Sequence, residues 1–297
     1  MEKTHHTKLL IFVPEITPRI KFTFEFIFQN VLGIDVVYTS DSNEFVQSGL
    51  PKINYSSANL SSGLFLKAHS ILFEKGIINQ EINEVEYLGL RLFFPSSEDS
   101  FLPFDPFACS FYLITRYEEY LSEYTDEHDR FTDSENILVR LQLNHQPIVD
   151  QMAYWVADKI SAEFPEFKVR KRTFQFLTTI DIDNAWAFKN KNLGIWLGSA
   201  FKAAIHGQWT ELKMRLVVFA GLQKDPYDTY DYILETYKGF LNHLRFFFLI
   251  GDRNQYDKNI SYKNKAFRQL ISNLAAVCEV GIHPSYASNQ KPSKFEK

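Results

Sequence analysis

Two aspartates and a histidine occupy positions where the sequence could carry metal chemistry. Asp181 and Asp183 follow an apolar and β-branched run at residues 174–180, and His283 closes another run at 280–282. Side chains alternate along a strand, so the two aspartates are predicted to face the same side. One carboxylate and one imidazole can hold a divalent ion while the other carboxylate takes a proton from water. Their joint placement predicts a hydrolytic site that uses a metal.

Each of these residues also has an ordinary interpretation. Asp183 with Asn184 could form a turn or a helix cap, and the same holds for either aspartate taken singly. His283 precedes Pro284 and could be a hydrogen-bonded loop residue. The chemical interpretation therefore depends on all three side chains meeting at one place.

The elements around these residues predict such a meeting. Helical patterns at 196–219, from Asp225-Pro226 onward and at 266–277 alternate with the strand at 174–180, a strand at 246–250 and the one that ends at His283. This β-α-β-α-β order is typical of parallel strands, and in barrels of that kind chemistry gathers at the C-terminal ends of the strands. Asp181, Asp183 and His283 are expected to share one rim.

The first part of the chain has a different predicted order of strands and helices. Apolar runs at 9–13 and 33–38 flank an amphipathic helix at 22–31, which predicts a small β-α-β unit, whereas the order of elements in 45–95 stays open. A helix is predicted from Asp105 to residue 124, and another from Pro147. Charged residues near the end of the first of these helices fit a charged helix face beside a charged loop better than they fit chemistry; they are Arg116, Glu118, Glu119 and His128.

Composition narrows the classes of function. The 297 residues have a formal net charge of -4 and no basic excess, which argues against a nucleic-acid partner. Aromatic residues reach 16%, which fits either a carbohydrate-binding surface or, as the better interpretation, core filling. Cys109 and Cys278 are predicted to be buried thiols. No apolar run is long enough for a membrane span, and we expect a cytoplasmic protein.

On these motifs the sequence resembles the polysaccharide deacetylases of the NodB-homology type, which remove acetyl groups from N-acetylated sugars. Thr179-Ile180-Asp181-Ile182-Asp183 matches an Asp-x-Asp variant of the family's first motif, and Gly281-Ile282-His283 stands where the family's histidine motif begins. The resemblance implies that Asp181 is the general base and that Asp183 and His283 bind a divalent metal, zinc by expectation. Under this interpretation Trp186 and Tyr286 could stack on a sugar ring, with packing as their alternative role.

The resemblance also implies an architecture. Residues 1–172 form an N-terminal α/β and helical region, similar to an uncharacterised domain that precedes such deacetylases in some bacteria. Residues 173–297 form the first strands of a distorted (β/α) barrel, which is expected to be incomplete because only three strands precede Lys297. Ala287 stands where the family has a second metal-binding histidine. A non-catalytic carbohydrate-binding or scaffolding protein with a degenerate barrel is therefore the alternative function.

Overall fold

The chain, described by a computed structural model, forms two compact units, Met1–Thr173 and Phe174–Lys297. The structure describes residues 8–122, 125–128, 130–167, 169, 172–191, 193–251, 256–286 and 288. The boundary between the units lies at the end of the charged stretch at 166–172.

A parallel sheet forms the centre of the first unit. Its strands, in the spatial order β2-β1-β3-β4, are β1 Lys8–Phe12, β2 Asp35–Thr39, β3 Lys52–Ser56 and β4 Leu64–Lys67. β1 and β2 pair in parallel, so the predicted β-α-β start is confirmed. The connecting helix α1, Pro18–Phe24, continues as a π-helix, Glu25–Val31. Strands β5 Glu84–Tyr87 and β6 Leu90–Phe93 form a separate antiparallel hairpin in the segment whose order the sequence left open.

Helices complete the first unit, and one of them is shorter than predicted. They are α2 Ser42–Gln47, α3 Pro106–Ile114, α4 Ile137–Arg140 and α5 Ile148–Glu163. The prediction of one helix from Asp105 to residue 124 is wrong, because Arg116 adopts a left-handed φ of 51° that interrupts the α-helical path. A short 3-10 helix, Tyr117–Tyr120, follows this break. The helix predicted from Pro147 is confirmed as α5.

Aromatic rings fill the core of the first unit. Phe24 stacks on Phe107 with ring centroids 4.2 Å apart, and Tyr55 meets Phe107 edge-on at 5.5 Å. The largest fully buried side chains of the described residues are all phenylalanine and tyrosine. Core filling accounts for these rings, as the composition predicts.

A buried carboxylate ties this core to the start of α3. Asp105 caps the helix by accepting from the amides of Phe107 and Ala108, both at 2.9 Å. Its other oxygen accepts from the Tyr55 hydroxyl at 2.6 Å and from the His69 amide at 2.8 Å. Burial raises the pKa of Asp105, and these donors offset only part of that effect. The side chain therefore joins one hydroxyl and three backbone amides inside the core.

The second unit is built on three parallel strands. They are β7 Thr178–Ile182, β8 Leu244–Leu249 and β9 Glu279–His283, with β8 in the middle. The helices of this unit are α6 Leu193–Ile205, α7 Trp209–Phe219, α8 Tyr230–Thr236 and α9 Lys265–Ala275. The parallel order predicted from the alternating pattern is confirmed. Phe246, Phe248 and Ile182 face a core that also includes Phe267 of α9.

Two helix predictions in the second unit need correction. The single helix expected at 196–219 is split into α6 and α7, because Gly207 takes a φ of +66° between them. The helix expected from Asp225-Pro226 begins only at Tyr230, after Thr229. The Asp225 carboxylate is used instead by a distant loop, as described below.

Two further expectations concern the burial of the cysteines and the absence of a membrane span. Both Cys109 and Cys278 are free thiols; Cys109 is buried, as predicted, and Cys278 is only partly buried. Burial raises the pKa of each thiol. Within the described residues, no helix combines the length and the apolar character needed to cross a membrane.

Candidate functional site

The strand register brings the predicted residues to one face of the second sheet. Asp181 on β7 is level with Phe247 on β8 and with Gly281 on β9. Further along the same strands, His283 pairs with Leu249 of β8. Ile182 between the two aspartates is buried in the core, so Asp181 and Asp183 project from the opposite face.

The three side chains meet at the C-terminal ends of their strands. His283 Nε2 lies 3.8 Å from Asp181 Oδ2 and 4.0 Å from Asp183 Oδ1. The carboxylates are more than half exposed, at 59% and 66%, and the imidazole is 34% exposed. The predicted rim residues are therefore close together and open to a ligand.

The imidazole of His283 is held by the backbone next to it. Its Nδ1 lies 3.0 Å from the carbonyl oxygen of Pro284. A carbonyl can only accept, so Nδ1 carries the proton and, in the neutral ring, Nε2 keeps a lone pair. Histidines that bind metals commonly donate their second ring nitrogen to a carbonyl or carboxylate in this way. The lone pair is directed to the side where the two aspartates lie.

A glycine and a phenylalanine form the apolar floor between the aspartates and the histidine. A Cβ atom on Gly281 would lie 2.6 Å from Cε1 of the Phe247 ring, which is closer than real Cβ contacts allow. Only glycine lets the ring extend over β9 at this level. The middle strand therefore contributes no polar group at the level of Asp181.

The loop after β7 is held by Asp225, which sequence reasoning treated only as a helix cap. Its Oδ1 accepts from the amide of Ala187 at 2.8 Å, and its Oδ2 accepts from the amides of Phe188 and Lys189 at 2.8 and 2.9 Å. The Tyr227 amide adds a fourth contact at 3.0 Å. Burial would raise the pKa of Asp225, but the amide donors outweigh it and the pKa lies below its usual value. This carboxylate fixes the chain just beyond Asp183.

The end of β8 is held by Asn259, a residue that sequence reasoning missed. Its side-chain amide donates to the carbonyl of Gly251 at 3.0 Å and that of Leu249 at 3.3 Å. Gly251 also lets the loop after β9 approach, because a Cβ there would lie 2.5 Å from Cβ of Ser285. The signal available in the sequence was a short polar side chain between a strand end and the next helix.

The loop after β9 is held in a similar way. The buried carboxylate of Asp257 accepts from the Tyr286 amide at 3.1 Å. This contact fixes the backbone just beyond the Pro284 carbonyl that orients His283. Each of the three strand ends is thus tied by a polar side chain from a loop.

The two predicted sugar-stacking residues have different surroundings. Trp186 is only 7% exposed and belongs to the core of the second unit, which leaves little ring surface for a sugar. Tyr286 is half-buried, and its ring lies against that of Tyr256 with centroids 4.2 Å apart. Packing was the alternative role for both residues, and it fits the buried Trp186. Part of the Tyr286 side chain remains accessible to solvent near the rim.

The donor types fit a divalent metal, although the side chains would have to move closer. Two ligands of a tetrahedral zinc with bonds of about 2.0–2.1 Å lie about 3.3 Å apart, so the 4.0 Å between His283 Nε2 and Asp183 Oδ1 must shorten. Among the described residues no three His, Cys, Asp or Glu side chains are already arranged to hold a metal ion. In the described part of the chain, Oδ1 of Asn184, the residue after Asp183, is buried without a hydrogen-bond partner. Ala287 lies outside the described residues.

Comparisons with known proteins identify the first part of the chain and leave the candidate site unassigned. No curated protein and no solved structure shows a significant match. Residues 9–165, within the first unit, match a family of unknown function, DUF7033. This match covers more than half of the 297 residues, and the chain therefore belongs to the DUF7033 family.

Proposed function

We propose that the second unit is a metal-dependent hydrolase that removes acetyl groups from N-acetylated sugars. One observation carries the proposal: Asp181 and Asp183 lie within 3.8 and 4.0 Å of His283 Nε2, while Nδ1 is occupied by the Pro284 carbonyl. Two carboxylates and an imidazole whose Nε2 faces them are suitable for holding a divalent ion and taking up a proton. By its resemblance to the NodB-homology deacetylases, the sheet β7-β8-β9 would begin a distorted (β/α) barrel.

The roles of the chain's own residues follow from their surroundings. Asp183 and His283 would hold the ion, with the Pro284 carbonyl keeping the imidazole in the tautomer that binds. A bound zinc-like ion would supply Lewis acidity for activating water and polarising an acetamide carbonyl. Asp181 accepts the proton from the attacking water as general base. The partly exposed Tyr286 borders the place where the sugar would lie.

Zinc titration by calorimetry tests the metal half of the proposal. The chelator-stripped full chain is expected to bind zinc, and both Asp183→Ala and His283→Ala are expected to lose that binding. His206→Ala changes an exposed helix-terminal histidine and serves as the matched control. Zinc binding that persists in both site variants would contradict the assignment of these ligands.

Acetate release from an N-acetylglucosamine oligomer tests the catalytic half. Asp181→Asn is expected to lower the rate at least ~100-fold, the smaller end of what a general base contributes, while zinc binding is retained. Equal rates in the wild type and this variant would overturn the role of Asp181. Glycan binding without turnover would instead favour the non-catalytic alternative, which the alanine at position 287 supports.

A further inference from the structure

An open cleft in the first unit has the size of a small-ligand site. Its volume is about 560 Å³, within the range of roughly 300–1,000 Å³ typical of small-molecule pockets. Its walls come from β5 and the loop before it, from α3 and the 3-10 helix after it, and from the region of α4. All of these segments belong to the part of the chain that matches DUF7033.

One wall presents an unpaired hydroxyl to the cleft. Tyr112 of α3 is only 5% exposed, yet among the described residues no group forms a hydrogen bond with its hydroxyl. Burial, with a further contribution from Glu118, raises the pKa of Tyr112 to about 12, so the hydroxyl is a neutral donor and acceptor. The hydroxyl oxygen itself is not fully buried and is reachable from the cleft. A ligand there could form a hydrogen bond with it.

The half-buried carboxylate of Glu118 lines the same cleft. Its Oε2 accepts from the Ile137 amide at 2.9 Å, and in the described part of the chain Oε1 has no hydrogen-bond partner. Burial raises the pKa of Glu118, in spite of the Ile137 amide and the guanidinium groups of Arg116 and Arg140. A cation bound beside Oε1 would favour the charged carboxylate and offset this cost of burial.

The other charges of the cleft favour a cation over an anion. Among the described residues that line it, three are acidic, Glu84, Glu118 and Glu135, and one is cationic, Arg140. The neighbouring Arg91 pairs with Glu84 at 3.5 Å, which leaves carboxylate charge in excess. The apolar side chains in the same lining provide contacts for the carbon skeleton of a ligand.

We propose that this cleft binds a small organic ligand that carries a protonated primary amine together with polar groups. The ammonium pairs with Glu118, and the Tyr112 hydroxyl bonds to a polar group of the ligand. An amino sugar and a linear polyamine share this chemistry. The inference goes beyond the proposed function, because the cleft belongs to the first unit and its ligand class follows from its own lining.

Calorimetry on the full chain tests the inference with defined probes. A glucosamine trisaccharide and spermidine are the amine-bearing probes, and an N-acetylglucosamine trisaccharide is the neutral comparison. At least one amine probe is expected to bind, with at least ten-fold higher affinity than the neutral trisaccharide. Tighter binding of the glucosamine trisaccharide assigns the cleft to amino sugars, and tighter binding of spermidine assigns it to polyamines.

Two conservative variants link the binding to the cleft. Glu118→Gln keeps an acceptor for the Ile137 amide and is expected to weaken binding at least ~10-fold, because it removes a charge-assisted contact. Tyr112→Phe removes only the hydroxyl and is expected to weaken binding about three- to ten-fold. Glu86→Gln neutralises an exposed acid on the same strand as Glu84 and should change nothing. No binding by either amine, equal binding of the neutral trisaccharide, or unchanged affinity in both cleft variants would overturn the inference. None of these readouts depends on acetate release or zinc.

Discussion

Replacing Asp225 with asparagine is expected to loosen the loop that follows the candidate site. One carboxylate oxygen accepts from the amides of Ala187 and Tyr227, and the other accepts from those of Phe188 and Lys189. Asparagine keeps one accepting oxygen, so its NH₂ group must face two amide donors. A hydrogen bond to a charged group contributes about 1.5–3 kcal/mol. Loss of two such bonds, partly replaced by water, is expected to cost about 3 kcal/mol of local stability.

Hydrogen exchange followed by mass spectrometry measures this loss directly. Exchange at 187–189 is expected to become roughly 100-fold faster in Asp225→Asn, since 1.4 kcal/mol corresponds to a factor of ten. Asp231→Asn makes the same chemical change on a carboxylate that is 87% exposed and paired with Lys224, and should leave these amides unchanged. Unchanged exchange at 187–189 in Asp225→Asn refutes the reasoning. So does a loss of protection that extends equally to β8, because the effect would then be global.

The same contacts give a pH dependence with a definite sign. The folded-state pKa of Asp225 is depressed, so its stabilisation is complete above the unfolded pKa of about 3.9 and is lost as the pH falls through the folded pKa. The difference in loop protection between the wild type and Asp225→Asn should therefore be constant at about pH 5–7 and shrink below about pH 4. A difference that grows on acidification would contradict the assigned direction.

Two further substitutions probe packing, one in each unit. Asp105→Ala leaves the Tyr55 hydroxyl and three amides without their acceptor, and is expected to lower the free energy of unfolding by about 3–5 kcal/mol in denaturant titrations. A loss below about 1 kcal/mol would show that water replaces the carboxylate. Gly281→Ala places a Cβ against the Phe247 ring and is expected to cost about 1–3 kcal/mol. Phe247→Leu in the same chain should recover part of this cost, and no recovery would mean that the ring is not the cause.

The strands and the meeting of the site residues could be predicted because both depend on local pattern. Short apolar runs placed β7, β8 and β9, and the intervening helical patterns gave their parallel order. The C-terminal ends of parallel strands lie at one edge of a sheet, so the approach of Asp181 and His283 followed from order alone. Predicting the strands and their order requires no information about contacts between residues far apart in the sequence.

The side chains that hold the loops around the site could not be predicted from the sequence. They act through long-range contacts, whereas the sequence around them indicates only local structure. Asp225 before Pro226 has the sequence of a helix start, yet its oxygens bond amides 36–38 residues earlier in the chain. Asn259 and Asp257 have no periodic signal at all. The helix breaks at Arg116 and Gly207 were missed for a related reason, since one left-handed residue outweighs the propensity of its neighbours.

The contact between Gly281 and Phe247 also constrains how sequences related to the second unit can change over time. A larger side chain at position 281 is acceptable only where position 247 has already become smaller, so neither position is free to drift alone. The two positions should therefore covary among relatives that share this unit. A relative with bulky residues at both positions 247 and 281 must pack the surface between its aspartates and its histidine differently. Such a difference can be recognised from its sequence alone.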